Sequence, residues 1–176
     1  EYVVVLGEGQ STPAPWINVV ANPRFGFCVS ESGSGYTWSE NSRENRLTSF
    51  ANDPVVDPTA EALFIRDDDS GDAWSPTPGP MARRPTSGSF VVRHSAGVTR
   101  FSRATRGIRH ELDVFVDVED PVKFSLLTLT NDGETARRLS LFAYNDWVLG
   151  PPRESQAGHV ITTYEVKSGT ILARNA

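Results

Sequence analysis

Apolar and polar residues alternate with a period of two through much of the second half of the chain. Residues 108–118 are the clearest case, and one side of this segment carries Ile108, His110, Leu112, Val114, Val116 and Val118. A period of two is typical of a strand with one buried face. We therefore predict a long, half-buried β-strand whose apolar side faces the core.

The same pattern predicts further strands, bounded by turns that contain Gly, Ser, Asn and Asp. In the second half they are residues 89–94, 98–105, 122–130, 136–148 and 160–166. In the first half they are residues 16–20, 25–30 and 62–66. Long polar segments at 33–52 and 67–87 are expected to be loops, and loops of that length in a compact domain usually serve a function.

Convincing helical periodicity is absent, and short turns separate the strands of the second half. This combination predicts an all-β fold, an antiparallel β-sandwich. The chain has 176 residues, which suits one domain. We expect a single domain over 1–176, with a loop-rich half at 1–87 and a regular-strand half at 88–176.

Charge and cysteine content narrow the functional classes. The net charge is −5, which argues against a nucleic-acid partner, since phosphate backbones are bound by basic surfaces. Cys28 is the single cysteine and lies in an apolar run, so we predict a buried thiol and a reducing, cytoplasmic compartment. No stretch approaches the ~20 apolar residues of a membrane helix.

Motifs for metal or nucleophilic chemistry are incomplete. His94, His110 and His159 are far apart, lack a His or Cys at ligand spacing, and are predicted to lie in strands rather than bind zinc. Residues 67–72 resemble a calcium loop, but no Glu follows at the twelfth position, so we predict a turn. No cofactor, metal site or catalytic residue is predicted.

One segment, residues 35–47, combines aromatic, amide and guanidinium side chains. Its members of these types are Tyr36, Trp38, Asn41, Arg43, Asn45 and Arg46. Aromatic rings stack on the C–H faces of sugars, and amides and guanidinium groups pair with hydroxyls. The segment therefore suits a sugar-facing surface, although a structural loop that satisfies buried carbonyls explains it equally well. A second mixed patch follows Trp147.

These segments resemble glycoside hydrolase family 94, formerly glycosyltransferase family 36. That family comprises cellobiose and chitobiose phosphorylases and the phosphorylase-like part of cyclic β-1,2-glucan synthases, and the chain is most similar to the synthase branch. The resemblance extends over nearly the whole chain, through residues 15–22, 25–26, 30–38, 41–48, 52–58, 65–67, 74–78 and 147–150.

The resemblance implies a β-supersandwich like galactose mutarotase, without the (α/α)6 barrel that carries the general-acid Asp. We thus expect a non-catalytic, truncated sandwich from a larger enzyme that acts on β-linked glucosides with inversion. Its expected partners are that barrel in the same polypeptide, a β-linked glucan or oligosaccharide, and a second copy in a homodimer. The parent is expected at an inner membrane, with this region on the cytoplasmic side.

The resemblance also implies substrate-facing roles for the loop 36–46 and the stretch 147–159. In related phosphorylases a Gln-Arg pair reaches the sugar. Here Arg153 and Gln156 occupy that region in a different order, followed by His159.

Two alternatives remain open at this point. One is a self-sufficient carbohydrate-binding module. The other is a mutarotase-like epimerase, which would need a carboxylate beside His110 or His159. Truncation would also expose sheet edges, so we expect the isolated chain to self-associate.

Overall fold

The computed structural model describes residues 1–51, 53, 55–81, 88–151 and 158–176. All helical or strand structure in these ranges is β-strand, and all of its strand pairings are antiparallel. The strands are β1 (Tyr2–Leu6), β2 (Ile17–Ala21), β3 (Phe25–Ser30), β4 (Gly35–Ser39), β5 (Arg46–Thr48), β6 (Glu61–Asp67), β7 (Ala73–Trp74), β8 (Phe90–Ser95), β9 (Val98–Thr105), β10 (Ile108–Val116), β11 (Lys123–Asn131), β12 (Leu139–Asn145), β13 (Trp147–Gly150), β14 (Val160–Glu165) and β15 (Thr170–Asn175).

The described strands form four sheets. The first has the order β1-β8-β9-β10-β11, and the second has the order β13-β5-β4-β3-β2. A three-stranded sheet, β12-β6-β7, and the hairpin β14-β15 complete the set. No helix in the described ranges is long and apolar enough to cross a membrane.

The first two sheets pack face to face, as the predicted sandwich requires. Their inner faces share one apolar cluster, formed by Val4, Leu6, Val20, Phe27, Val29, Phe90, Val92, Phe101, Leu112 and Val114. A smaller cluster of Ile65, Trp74 and Ile108 joins the three-stranded sheet to β10. The all-β, antiparallel prediction is confirmed.

Strand β10 shows how the alternating pattern produces this core. Ile108, His110, Leu112 and Val114 are buried, while the intervening side chains are exposed or half-buried. The strand is shorter than predicted, because Asp117 begins a turn. Its Oδ1 accepts the backbone amides of Glu119 and Asp120, both at 2.9 Å, and Val118 is left 84% exposed beyond the strand.

The interpretation of 33–52 as a long loop is wrong, because this segment contains β4 and β5. Its buried positions are polar: the Thr37 amide donates to Thr48 Oγ1 at 2.9 Å. The segment 67–87 also contains β7, and its residues 75–78 are buried. The predicted strand 136–148 is two strands, β12 and β13, which lie in different sheets.

Two further strands, β1 and β15, were not predicted, and one histidine was misplaced. Strand β1 pairs with β8, and its Val4 and Leu6 reach the core. Strand β15 pairs with β14 in an exposed hairpin. His94 and His110 lie in strands as predicted, whereas His159 lies in the turn before β14.

One side of the sandwich, which we call the open side, is formed by the inner faces of β11 and β12. Leu129 is opposite the buried His110 but is 39% exposed. Leu141 is opposite the buried Ile65 but is 55% exposed. A cavity of about 220 Å³ lies between these strands and is lined from both. The interior of the sandwich therefore opens to solvent here.

Candidate functional site

The half-buried aromatic residues of β4 lie on the outer face of the second sheet. Tyr36 and Trp38 are on the same side of the strand, with ring centroids 5.3 Å apart. Phe50 stacks on Tyr36 at 4.2 Å, and the Arg46 guanidinium lies 5.6 Å from the Phe50 ring centroid. We call these four residues the Trp38 face. They combine ring faces with a hydrogen-bond donor, as sugar recognition requires.

A glycine allows Trp38 to lie flat against the sheet. Gly26 in β3 is directly opposite Trp38. A Cβ at this position would be 2.6 Å from Trp38 Cζ2 and 2.6 Å from Ala21 Cβ, closer than side-chain atoms come. The indole therefore covers the backbone of Gly26, which fixes the indole's orientation.

The exposed turn between β4 and β5 holds the next three candidate residues. Asn41 Oδ1 accepts the amides of Arg43 and Glu44, both at 2.9 Å, so this oxygen maintains the turn. Arg43 is exposed and lies 3.2 Å from the Glu44 carboxylate. The Asn45 side chain is exposed, and its carbonyl accepts the Ser39 amide at 3.1 Å.

Among the described residues, neither Trp147 nor His159 makes a hydrogen bond, ion pair or ring contact with the Trp38 face. Trp147 in β13 is opposite Thr48 of β5, whose hydroxyl points to Glu61 on the inner face. Gly150 of the same strand is opposite Arg46, and the register is irregular between these two pairs. His159 is exposed in its turn. Arg153 and Gln156 lie outside the described residues.

Sequence reasoning missed Phe50, which is the ring that links Tyr36 to Arg46. Its signal was weak, because it follows β5 as an isolated aromatic residue in a polar segment. Only the pairing of β4 with β5 brings it over Tyr36.

Beneath the Trp38 face, a buried ion pair links the layers. Glu61 binds Lys123 of β11, and its Oε1 accepts the hydroxyls of Thr37 and Thr48, both at 2.6 Å. Burial raises the pKa of Glu61, but Lys123 and the two hydroxyls outweigh it and hold that pKa below its usual value. Lys123 Nζ also lies 4.5 Å from the Phe27 ring centroid. This cluster fixes β4, β5 and β6 against β11.

Two titratable groups that catalysis could use, His110 and Cys28, are buried. His110 is completely buried, and burial lowers its pKa to about 4. No described residue bonds its ring nitrogens, so the structure shows no His110–carboxylate pair of the kind that epimerase chemistry needs. Cys28 is buried as predicted, and burial together with the Asp57 charge raises its pKa to about 11.

The segment 67–72 forms the predicted turn. Asp67 Oδ1 accepts the amides of Asp69 and Ser70 at 2.9 and 3.0 Å, and Gly71 has a φ of +76°. The Ser70 amide and the Arg137 guanidinium lower the pKa of Asp67 to about 2. Among the described residues, no group of three or more His, Cys, Asp and Glu side chains could hold a metal ion.

Comparison with known proteins gives a consistent result. The profile of the supersandwich domain of glycosyl hydrolase 94 matches residues 1–176. The chain is 38% identical over 175 residues to cyclic beta-(1,2)-glucan synthase NdvB from Rhizobium meliloti (strain 1021), which covers 99% of the chain and 6% of the synthase.

Two phosphorylases are similar over nearly the same range. Identity is 25% over 164 residues to N,N'-diacetylchitobiose phosphorylase of Vibrio proteolyticus, covering 93% of the chain and 20% of that enzyme. Identity is 28% over 180 residues to solabiose phosphorylase of Paenibacillus borealis, covering 95% of the chain and 22% of that enzyme. The chain thus spans a small part of each relative's length. Because the profile covers all of its residues, the chain belongs to the glycosyl hydrolase 94 supersandwich family.

Proposed function

We propose that this chain is the non-catalytic, carbohydrate-associated sandwich of a phosphorylase-like enzyme of the cyclic β-1,2-glucan synthase type. In this proposal it packs on an (α/α)6 catalytic barrel of the same polypeptide and contributes the Trp38 face to a glucan-binding cleft. The observation that carries the proposal is the 38% identity to a cyclic glucan synthase along 99% of the chain.

The open side supports the part of the proposal that concerns packing. Buried apolar area stabilises a domain by roughly 25 cal/mol per Å². Inner-face leucines that stay exposed do not contribute this free energy to the isolated chain. Leu129 and Leu141 would gain burial if further polypeptide covered β11 and β12. The relatives are long enough to supply it, since the chain matches only 6% to 22% of their length.

The Trp38 face supports the part that concerns glucan. Its aromatic rings are half-buried rather than fully packed, and the adjoining turn offers amide and guanidinium groups to solvent. The proposal also places the domain in the cytoplasm, where the free thiol of Cys28 would stay reduced, and in a homodimer of the parent enzyme.

A domain replacement tests this function. In the R. meliloti synthase, the 175 matching residues are replaced by this chain, and cyclic β-1,2-glucan is measured. We expect the chimera to make the glucan, a deletion of the segment to make none, and the isolated chain to have no transferase or phosphorylase activity.

Substitutions within the chimera then test the sugar-facing role. Trp38→Ala should alter the yield or the length of the glucan, because it removes the central ring of the Trp38 face. Thr128→Ala, an exposed position on the outer face of β11, is the control and should change neither. A soluble, folded chimera that makes no glucan would contradict the proposed function.

A further inference from the structure

Two adjoining cavities lie beside β3 and β4, next to the Trp38 face. Their volumes are about 340 Å³ and about 550 Å³, and both are lined by Ala14, Pro15, Ser34 and Asp57. Each is within the roughly 300–1,000 Å³ of small-molecule sites. We call the pair the Asp57 groove, because Asp57 is the acidic residue that lines both cavities.

The two cavities differ in the chemistry of their walls. The smaller one is mainly apolar, with Ile17, Phe50 and Pro58 among its lining residues. The larger one is rich in hydroxyl and carboxylate groups, including those of Thr12, Glu31, Ser32 and Thr59. A pyranose presents apolar C–H faces and a rim of hydroxyls, so both kinds of wall suit it.

The carboxylate of Asp57 is held in place and keeps one oxygen available. Its Oδ2 accepts the hydroxyls of Ser30 and Ser32, both at 2.6 Å. Its backbone carbonyl accepts the Ser34 hydroxyl at 3.2 Å. No described residue donates to Oδ1, which can therefore accept a hydrogen bond from a bound hydroxyl.

The charge of the groove selects among ligands. Its acidic lining residues are Glu31, Asp53 and Asp57, and neither cavity has a Lys or Arg among its described lining residues. Phosphates, nucleotides and uronates would be repelled, whereas neutral hydroxyl-rich molecules would find acceptors. The protonated thiol of Cys28 offers no nucleophile to such a ligand.

The groove is continuous with the Trp38 face. Phe50 lines the smaller cavity and also stacks on Tyr36 at 4.2 Å. A ligand that leaves this cavity would pass the Tyr36 ring, so the two surfaces can contact successive units of one chain molecule.

We propose that the Asp57 groove binds two adjacent pyranose units of a neutral glucan, one in each cavity, with Asp57 Oδ1 accepting a hydroxyl hydrogen at their junction. This inference rests on the proposed function for the identity of the sugar. It adds a second contact site, which the chain forms from its own residues.

Titration calorimetry of the 176-residue chain with a linear β-1,2-gluco-oligosaccharide tests the groove. Asp57→Asn should weaken binding about tenfold, since a hydrogen bond to a charged acceptor is lost. Ala14→Trp should abolish binding, because Ala14 is exposed and lines both cavities, so the indole fills the groove without entering the core. The matched control is Ala136→Trp, at an exposed alanine before β12, which should bind as the unsubstituted chain does.

Each outcome decides the proposal. Loss of binding in Ala14→Trp but not in Ala136→Trp, with equal thermal midpoints, supports it. Unchanged affinity in Ala14→Trp overturns it. If Trp38→Ala then abolishes binding, the sugar binds at the Trp38 face, and the proposed function is kept without the groove. Absence of heat for the unsubstituted chain at millimolar ligand also overturns it, because the groove is complete within the chain. The chimera assay judges the proposed function independently of that result.

Discussion

Strands β9 and β11 lie in the same sheet, with β10 between them, yet their inner faces differ. Every inner position of β9 is buried, from Thr99 to Thr105. The inner face of β11 is half-buried or exposed, and Leu129 is 39% exposed. The second sheet covers the whole inner face of β9, but on β11 it reaches Lys123 and leaves Leu129 exposed. Burial here is thus set by the layer opposite a strand, not by the strand's own pattern.

This difference indicates which half of the domain is complete. The core between β1, β8, β9 and β10 and the strands β2 and β3 is closed by the chain itself. The open side presents inner-face leucines to solvent on both β11 and β12. We expect the closed core to provide most of the stability and the open side to provide an attachment surface.

The largest expected effect comes from one substitution made on each side. Leu112→Ala in β10 should lower the free energy of unfolding by about 4 kcal/mol, because Leu112 is 3% exposed and leaves a cavity. Leu129→Ala in β11 should cost less than about 1 kcal/mol. Urea unfolding of both variants measures this, and equal losses would remove the distinction between the two sides.

The buried ion pair is the exception on the open side, because Lys123 fixes β11 through Glu61. Lys123→Met should cost about 3 kcal/mol, since the carboxylate is left without its cation. Lys167→Met, in the exposed turn between β14 and β15, should be near neutral. If both lysine variants unfold at the same urea concentration, β11 is not fixed by this pair.

A smaller effect should appear with pH through His110, at the boundary of the two sides. Its folded pKa of about 4 is below the ordinary 6.5, so the unfolded chain takes up the proton first as pH falls. Stability that is complete above about pH 6.5 should therefore decrease by about 2 kcal/mol at pH 5. His110→Phe should remove most of that decrease, with the remainder due to His94, whose pKa burial also lowers. Urea unfolding at pH 7 and pH 5 measures it, and an undiminished decrease in His110→Phe would contradict the assignment.

Self-association of the isolated chain is the last prediction, and its variants should change stability least. The isolated chain should self-associate at high micromolar concentration through β11 and β12, because both are edge strands of their sheets. A double variant that carries both Leu129→Lys and Leu141→Lys should reduce association without lowering the thermal midpoint appreciably. Val55→Lys, at a 73% exposed valine elsewhere, is the control. If the unsubstituted chain sediments as a monodisperse monomer, the open side does not mediate self-association.

Alternation predicts a strand where an apolar buried face alternates with a polar outer face, and it misses strands such as β4 and β5, whose buried face is polar. Strand β10 was predicted because Leu112 and Val114 recur every second residue. Strands β4 and β5 were missed because their buried positions, Thr37 and Thr48, are hydroxyls that bind Glu61. Their burial depends on a partner from a later segment, which local periodicity does not register.

The candidate site shows the same limit. The mixture of Tyr36, Trp38 and Arg46 indicated a sugar-facing surface before any pairing was known. The place of Trp147 depends on its pairing with Thr48, about a hundred residues earlier in the chain. No spacing rule within one segment predicts that pairing.

Hydrogen exchange of the chain alone and within the synthase chimera shows whether the open side is an attachment surface. We expect amides of β11 and β12 to exchange much more slowly in the chimera, and those of β8 and β9 to exchange equally in both proteins. Equal exchange of β11 and β12 in the two proteins would contradict the claim that the open side is covered by the rest of a larger enzyme.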